Sequence, residues 1–208
     1  MQRKDVSMAV IRRMPKYYRY LDELSRNGVT RISSKTLAES MGLTASQIRQ
    51  DFNCYGGFGQ QGYGYNVEML KHEIASIIGI DKKHTAVLIG VGNIGHALMN
   101  NFDFSLCGFN LLAAFDNDEK IVGTQVNGVP VYHISELESF NEKTPVEIAV
   151  LTLPKSHAPE VAELLAEIGV RGIWNFTNID LQLKKHEVTV EDVHFADSLM
   201  TLCYRTTK

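Results

Sequence analysis

Residues 87–95 read VLIGVGNIG, an apolar run followed by glycines at 90, 92 and 95 in GxGxxG spacing. Glycines so placed mean a chain that turns sharply, passes close to a ligand and starts a helix tight against the strand it has left. Gly90 makes the turn, Gly92 leaves room for a pyrophosphate, and Gly95 lets the helix pack, so that the helix N-terminus faces phosphate charge. Outward from this stretch, Ala86 to Ile89 and Leu111 to Phe115 are apolar runs suited to strands buried on both faces of a parallel sheet. Asp116 ends the second run, 21 residues past Gly95. An acid there accepts hydrogen bonds from an adenosine ribose and repels a 2′-phosphate; with no Arg or Lys among Asn117, Asp118 and Glu119, the reading favours NAD over NADP. Strand, glycines, helix and acid in order inside one βαβ unit predict a dinucleotide site, with Val91, Asn93, Ile94 and Asn117 in the contact set. A similar turn serves Rossmann-like domains that bind other nucleotides, CoA among them.

Two more apolar runs, Ile148 to Leu153 and Gly172 to Phe176, extend the parallel sheet. Between them Val161, Leu164, Leu165 and Ile168 share one face of a crossover helix that Gly169 closes. The 208 residues are 44% hydrophobic and 22% charged, enough for one large domain or two small ones and too apolar for disorder. The apolar runs are strand-sized, so no membrane span is expected. Met1 is followed by Arg3, Lys4 and Asp5 without an apolar stretch, which predicts a cytoplasmic address. Cys54, Cys107 and Cys203 lie too far apart for a disulfide framework or a CxxC site, and the seven histidines show no ligand spacing, so no metal is expected.

Charge divides the chain. Residues 1–80 hold 11 Lys+Arg against 7 Asp+Glu, and residues 81–208 hold 10 against 17. A basic front half suits a polyanion. There, Pro15 opens a helix with Tyr17, Tyr20, Leu21 and Leu24 on one face, and Gly28 stops it. A second helix runs from about Ser34 to Met41, Gly42 breaks it, and Thr44 caps a third, with Gln47 completing a capping box. Two short helices joined by a glycine turn are a helix-turn-helix. The third helix offers Thr44, Ala45, Gln47, Arg49 and Gln50, preceded by Ser33 and Ser34. Arg suits guanine, Gln suits adenine, and Ser and Thr suit phosphate oxygens. A capped, solvent-facing helix is the bland alternative, weakened by the basic excess and by the adjoining stretch Tyr55 to Tyr65. That stretch, YGGFGQQGYGY, reads as a wing hairpin with its tip at Gln60 and Gln61. Asn66 then caps a helix striped by Val67, Leu70, Ile74 and Ile77 that ends at Gly79. The expected layout is a winged-helix DNA-binding domain at 1–80, a Rossmann NAD(H)-binding domain at 81–190 and a C-terminal helix at 191–208.

The runs SSKTLAESMGLTASQIRQDFNCYGGFGQQGYGYNVEML, VLIGVGNIG, AFDND, AVLTLPK, GIWNFTN and FADSLMTL together resemble the Rex family of redox-sensing transcriptional repressors over almost the whole chain. The resemblance implies an α/β protein, winged helix then Rossmann-like parallel sheet, acting as a homodimer whose C-terminal helices are swapped onto the partner. It implies competitive binding of NADH and NAD+. NADH closes the dimer and releases an inverted-repeat DNA operator, so that genes of fermentation and NADH reoxidation are repressed when NADH is scarce. By the same resemblance Thr152, Pro154, Asn175 and Phe176 line the cofactor cleft, and Phe195 lies near the nicotinamide at the dimer interface.

The sequence also departs from the family. A switch of tyrosine, aspartate and arginine in relatives corresponds here to Asn101, His194 and Arg19, leaving Asp197, three residues after His194, as the candidate acid for Arg19. Gln50 stands where many members have Lys or Arg. An NAD-dependent oxidoreductase is the enzymatic alternative, but only 28 residues follow Asp180, too few for a substrate domain, and no acid–base pair is evident. A repressor sensing CoA or another nucleotide is the third reading. The chain is therefore expected not to be an enzyme.

Overall fold

The computed structural model describes residues 6–56, 58, 63–183 and 187–207. The chain forms two compact units, Met1–Lys82 and Lys83–Lys208.

In the first unit α1 (Met8–Ile11) leads into α2 (Met14–Arg26), with Pro15 in the first turn, where its missing N–H has no partner to lose. Tyr17 and Leu21 are fully buried, and Tyr20 and Leu24 flank them. After β1 (Arg31–Ile32) come α3 (Ser34–Met41) and α4 (Ala45–Asn53), joined through Gly42 at φ +65. The Thr44 hydroxyl accepts from the Gln47 amide at 3.2 Å, so α4 begins where its cap residue dictates. Then β2 (Tyr65–Asn66) runs into α5 (Val67–Ile78), capped by the Asn66 carboxamide on the Met69 amide at 2.9 Å. The helices close on one core that includes Met14, Tyr17, Leu37, Ile48, Phe52, Leu70 and Ile74.

Of the glycine–aromatic stretch expected to form a wing hairpin, the described residues show a strand paired further upstream. β2 pairs antiparallel with β1, Ile32 opposite Tyr65, while Cys54–Gly56 form a turn. Gly64 explains the choice: at φ +69, a Cβ there would sit 2.7 Å from the Ile32 carbonyl oxygen, so only glycine lets the two backbones meet. Phe58 and Tyr65 both set their rings edge-on to Phe52. Gln60 and Gln61, assigned to the wing tip, lie outside the described residues.

The second unit is built on β3 (His84–Ile89), α6 (Asn93–Asn101), β4 (Phe109–Asp116), β5 (Gln125–Val126), β6 (Val129–His133), α7 (Leu137–Lys143), β7 (Ile148–Leu151), α8 (Ala158–Glu167), β8 (Gly172–Asn175), β9 (Thr189–Asp192) and α9 (Phe195–Thr206). The sheet order is β5-β6-β4-β3-β7-β8-β9, parallel except for β5 against β6. Val87 and Ile89 face one core with Phe115 and Leu165, whereas Leu88 faces another with Met99 and Phe176, the period-2 alternation of a sheet covered on both sides. The α8 stripe is turned from its expected centre. Ala158, Ala162, Leu165 and Ala166 are buried while Val161, Leu164 and Ile168 flank them, because alanines admit the helix closest to the sheet. From β3 the chain proceeds to β4 on one side, and later to β7 on the other. The crevice beyond the carboxyl ends of β3 and β7 is thus a topological switch point, where open parallel sheets bind ligands.

Candidate functional site

At that crevice each glycine of GxGxxG meets a different physical demand. Gly90 has φ +97, and a Cβ on it would lie 2.7 Å from the Leu153 amide nitrogen. A Cβ on Gly95 would overlap the Gly90 carbonyl oxygen and lie 2.8 Å from Thr152 Oγ1. Gly92, by contrast, has nothing within 4 Å of where its Cβ would be. Protein packing makes no demand on Gly92, whose Cβ position is open space. Among the described residues no side chain caps α6, the kind of helix start whose amides can accept an anion. The Thr152 hydroxyl donates to the Gly90 carbonyl at 2.6 Å, tying the loop after β7 to the glycine turn.

Asp116 closes the other end. Its Oδ2 accepts from the Val91 amide at 2.6 Å, and its Oδ1 accepts from the amides of Asn117 and Asp118 at 2.7 and 3.0 Å. The carboxylate is fixed beside the turn, with lone-pair capacity on Oδ2 for a ribose hydroxyl. Asp116→Ala is expected to weaken NADH binding and to narrow the preference of NADH over NADPH, since an acceptor is lost along with a repulsion toward phosphate. Paired titrations of the two cofactors check this, and an unchanged ratio of affinities would contradict it.

Three of the assigned contacts also make buried contacts within the protein. Val91 is buried in the sheet core and its amide donates to Asp116, which shapes the turn. Asn175 is wholly buried. Its Nδ2 donates to the Ile179 carbonyl and to Asp192 Oδ1, both at 2.7 Å, and its Oδ1 accepts from the Thr177 amide and hydroxyl, so its amide organises the loop after β8. Phe176 is mostly buried, with its ring centroid 4.5 Å from Trp174 and 6.1 Å from the exposed Phe195. Asn93, Ile94, Asn117 and Pro154 are exposed, and Thr152 is half-buried.

Of the assigned switch residues, Asn101 donates to the Ala97 carbonyl of its own helix. His194 sets Nε2 at 3.1 Å from Asp180 and Nδ1 at 3.3 Å from Asn178. Asp180, Asp192 and His194 bring ligand-type atoms within 4.8 Å of one another, a grouping that spacing along the chain did not predict. Protein partners already engage all three. Arg19 is exposed in the first unit and Asp197 in the second. Nothing in α9 is buried, and Phe195, Leu199, Met200, Leu202 and Tyr204 are 55–77% exposed.

In the first unit Arg49 and Gln50 are exposed on α4, and Arg49 Nη1 donates to Ser34 Oγ at 3.2 Å. Ser33 caps α3 through the Thr36 amide, and Thr44 is exposed at the start of α4. Ala45 and Gln47 are half-buried, with Ala45 packed against the core. Beside them Arg31 Nη1 donates to the carbonyl of Tyr63, a residue 71% exposed.

The sequence reading missed a buried ionic cluster behind α4. Arg13 Nε and Nη2 donate to Asp51 Oδ2 and Oδ1, both at 2.7 Å, and the Tyr17 hydroxyl donates to Oδ2 at 2.6 Å. The bond to Asp51 raises the Arg13 guanidinium above its ordinary range; burial, and then the bond to Asp51, raises the Tyr17 phenol. A signal existed: Ile48, Asp51 and Phe52 fall at i, i+3 and i+4, placing an acid on the buried stripe.

Residues 5–53 match the family model described as "Putative DNA-binding protein N-terminus", and residues 81–179 match the "CoA binding domain". The chain is 50% identical over 201 residues to the "Redox-sensing transcriptional repressor Rex" of Clostridium botulinum strain Hall, covering 97% of this chain and 95% of that one. To the protein of that name from strain Eklund 17B it is 52% identical over 202 residues, covering 97% and 96%. Among solved structures it resembles RSP in complex with beta-NAD+ and operator DNA, with a TM-score of 0.91, 48% identity and coverage of 97% and 93%. It likewise resembles RSP in complex with beta-NADH, with a TM-score of 0.88, 44% identity and coverage of 97% and 94%.

Proposed function

Given that the chain belongs to the Rex family of redox-sensing transcriptional repressors, we propose that its second unit reads the NADH/NAD+ ratio and its first unit reports that ratio to DNA. It is a DNA-binding repressor that senses NADH, and its cofactors are NADH and NAD+. One observation carries the reading: a single chain holds both a capped helix–glycine turn–helix and a glycine crevice bounded by Asp116. Residues 1–80 bind the operator, 81–190 hold the cofactor, and 191–208 join two subunits. The protein turns over no substrate and works in the cytoplasm, alongside the DNA it binds.

A homodimer fits α9, whose Phe195, Leu199 and Leu202 form an exposed stripe at i, i+4 and i+7. A symmetric dimer presents two recognition helices to an inverted repeat. Redox state acts where the nicotinamide comes to lie. The reduced ring is neutral, and the oxidised ring is a cation that the phenyl rings of Phe176 and Phe195 do not solvate. NADH therefore favours a closed dimer unable to span both half-sites, to the extent that it binds that state more tightly. Asn101 and His194 bond within their own unit, and Arg19 and Asp197, both exposed, are the opposite charges assigned to the coupling.

The test is binding to an inverted-repeat duplex at fixed salt. NADH is expected to abolish it and NAD+ to leave it intact. Release by CoA and not by NADH would move the protein to the third reading, and release by neither would remove redox sensing. The matched "CoA binding domain" description makes the CoA arm necessary.

A further inference from the structure

The cluster behind α4 does something that packing alone does not. Asp51 is 2% exposed and its carboxylate accepts three hydrogen bonds, two from the Arg13 fork and one from Tyr17. Burying such a pair costs desolvation of two charges, and well-packed apolar side chains of similar volume commonly stabilise a fold as well or better. The directed bonds supply geometry. Ile48 and Phe52 hold α4 by contacts that tolerate a roll about the helix axis, whereas a bidentate guanidinium fixes the roll and the axial position together.

We propose that Arg13, Tyr17 and Asp51 are positioning residues for sequence readout: they index α4 against α2 so that Arg49 and Gln50 are presented at one defined angle to the DNA. Asp51 points inward, and Gln50 and Arg49, one and two residues earlier on the same helix, are exposed. A roll of about 20° displaces a group carried roughly 9 Å from the helix axis by about 3 Å, the length of a hydrogen bond. Contacts to base edges do not survive that displacement, whereas contacts to phosphates, made by mobile side chains, do. Arg49 is itself braced on Ser34 at the start of α3, so the outward arginine is referenced to two helices. The cluster thus governs discrimination between DNA sequences more than affinity for DNA. The inference rests on the proposed reading of α4 as the helix that meets DNA.

The test uses the full-length protein, a duplex that the parent enriches from a random-sequence pool, and a shuffled duplex of the same length. The readout is the ratio of the two affinities at fixed salt, with thermal unfolding and NADH binding followed in parallel. Arg13→Lys keeps the charge and loses the fork; Tyr17→Phe loses one bond. The double variant Arg13→Met/Asp51→Leu replaces the pair by apolar groups. Arg13→Lys is expected to lower the ratio about tenfold, mostly through weaker binding to the enriched duplex, as one disturbed base-pair contact would. Tyr17→Phe is expected to lower it less, and the double variant to unfold near the parental temperature while losing at least as much discrimination as Arg13→Lys. A folded double variant and Arg13→Lys that both keep the parental ratio would overturn the inference. If the double variant does not fold, Arg13→Lys and Tyr17→Phe decide alone. A parent that enriches no sequence sinks the functional reading and this inference with it, whereas a selective parent whose variants are equally selective sinks the inference alone.

Discussion

Gly95→Ala is expected to abolish measurable NADH binding and to lower the thermal stability of the second unit. The added methyl overlaps the Gly90 carbonyl oxygen, a backbone atom, and meets Thr152 Oγ1 at 2.8 Å and Leu88 Cδ2 at 3.1 Å. Gly90 cannot retreat, because the position of its own Cβ is already occupied by the Leu153 backbone. The helix must move instead. Overpacking of this kind costs about 1–3 kcal/mol or more. The N-terminus of α6 then withdraws from the pyrophosphate, and the bond from Thr152 to the Gly90 carbonyl is strained. Gly92→Ala is the matched control. Its Cβ enters open space at φ −73, so the unit is expected to melt with the parent while NADH affinity falls, since the methyl occupies room meant for ligand. Cofactor fluorescence titration and thermal melts separate the two. Parental NADH affinity in Gly95→Ala would contradict the packing argument, and parental affinity in Gly92→Ala would place the pyrophosphate elsewhere.

The second large effect is expected on α9. Replacing Leu199 and Leu202 together by Asp puts two charges into a stripe that has no cover among the described residues. If a second copy supplies that cover, each leucine contributes about 1.5–3 kcal/mol of buried apolar surface to the dimer. The variant is then monomeric in sedimentation, and its operator affinity falls by a factor on the order of 100 or more as two linked half-sites become one. Unfolding of the monomer and its NADH binding at the glycine turn change little by comparison. A variant that sediments and binds the operator as the parent does removes α9 from the interface.

Where local chemistry was decisive, the fold was legible from the residues. Ser33, Thr44 and Asn66 cap helices because their side chains accept from amides three residues on, and Gly42 and Gly79 end helices at positive φ. The central strands declared themselves as apolar runs. β6 did not, because Val129–His133 mixes Pro, Tyr and His, and it belongs to the sheet only through its pairing with β4. β9 likewise has alternating exposure and gains its place by lying beside β8. The pairing of β2 with β1 was not legible, because alternation of Gly and aromatics tells of a bend but not of a partner strand far upstream, and β1 is only two residues long. At the crevice, motif spacing located the glycines and Asp116, yet it could not distinguish a side chain that faces ligand from one that braces a loop. Asn175 and Asp51 are the plain cases, since in both the role is set by partners distant in sequence.

Synthesis runs from the N-terminus, and the last strand made, β9, is an edge strand paired only with β8. The strands from β3 to β8 can therefore pair while β9 and α9 are still being delivered, as units generally fold in the order they emerge. The apolar stripe of α9 is exposed to the ribosome's surroundings only after a folded sheet exists to carry it. If α9 joins two copies as proposed, nascent chains meet through finished cofactor units and not through half-made ones, which keeps the apolar segment from seeding misassembly during translation.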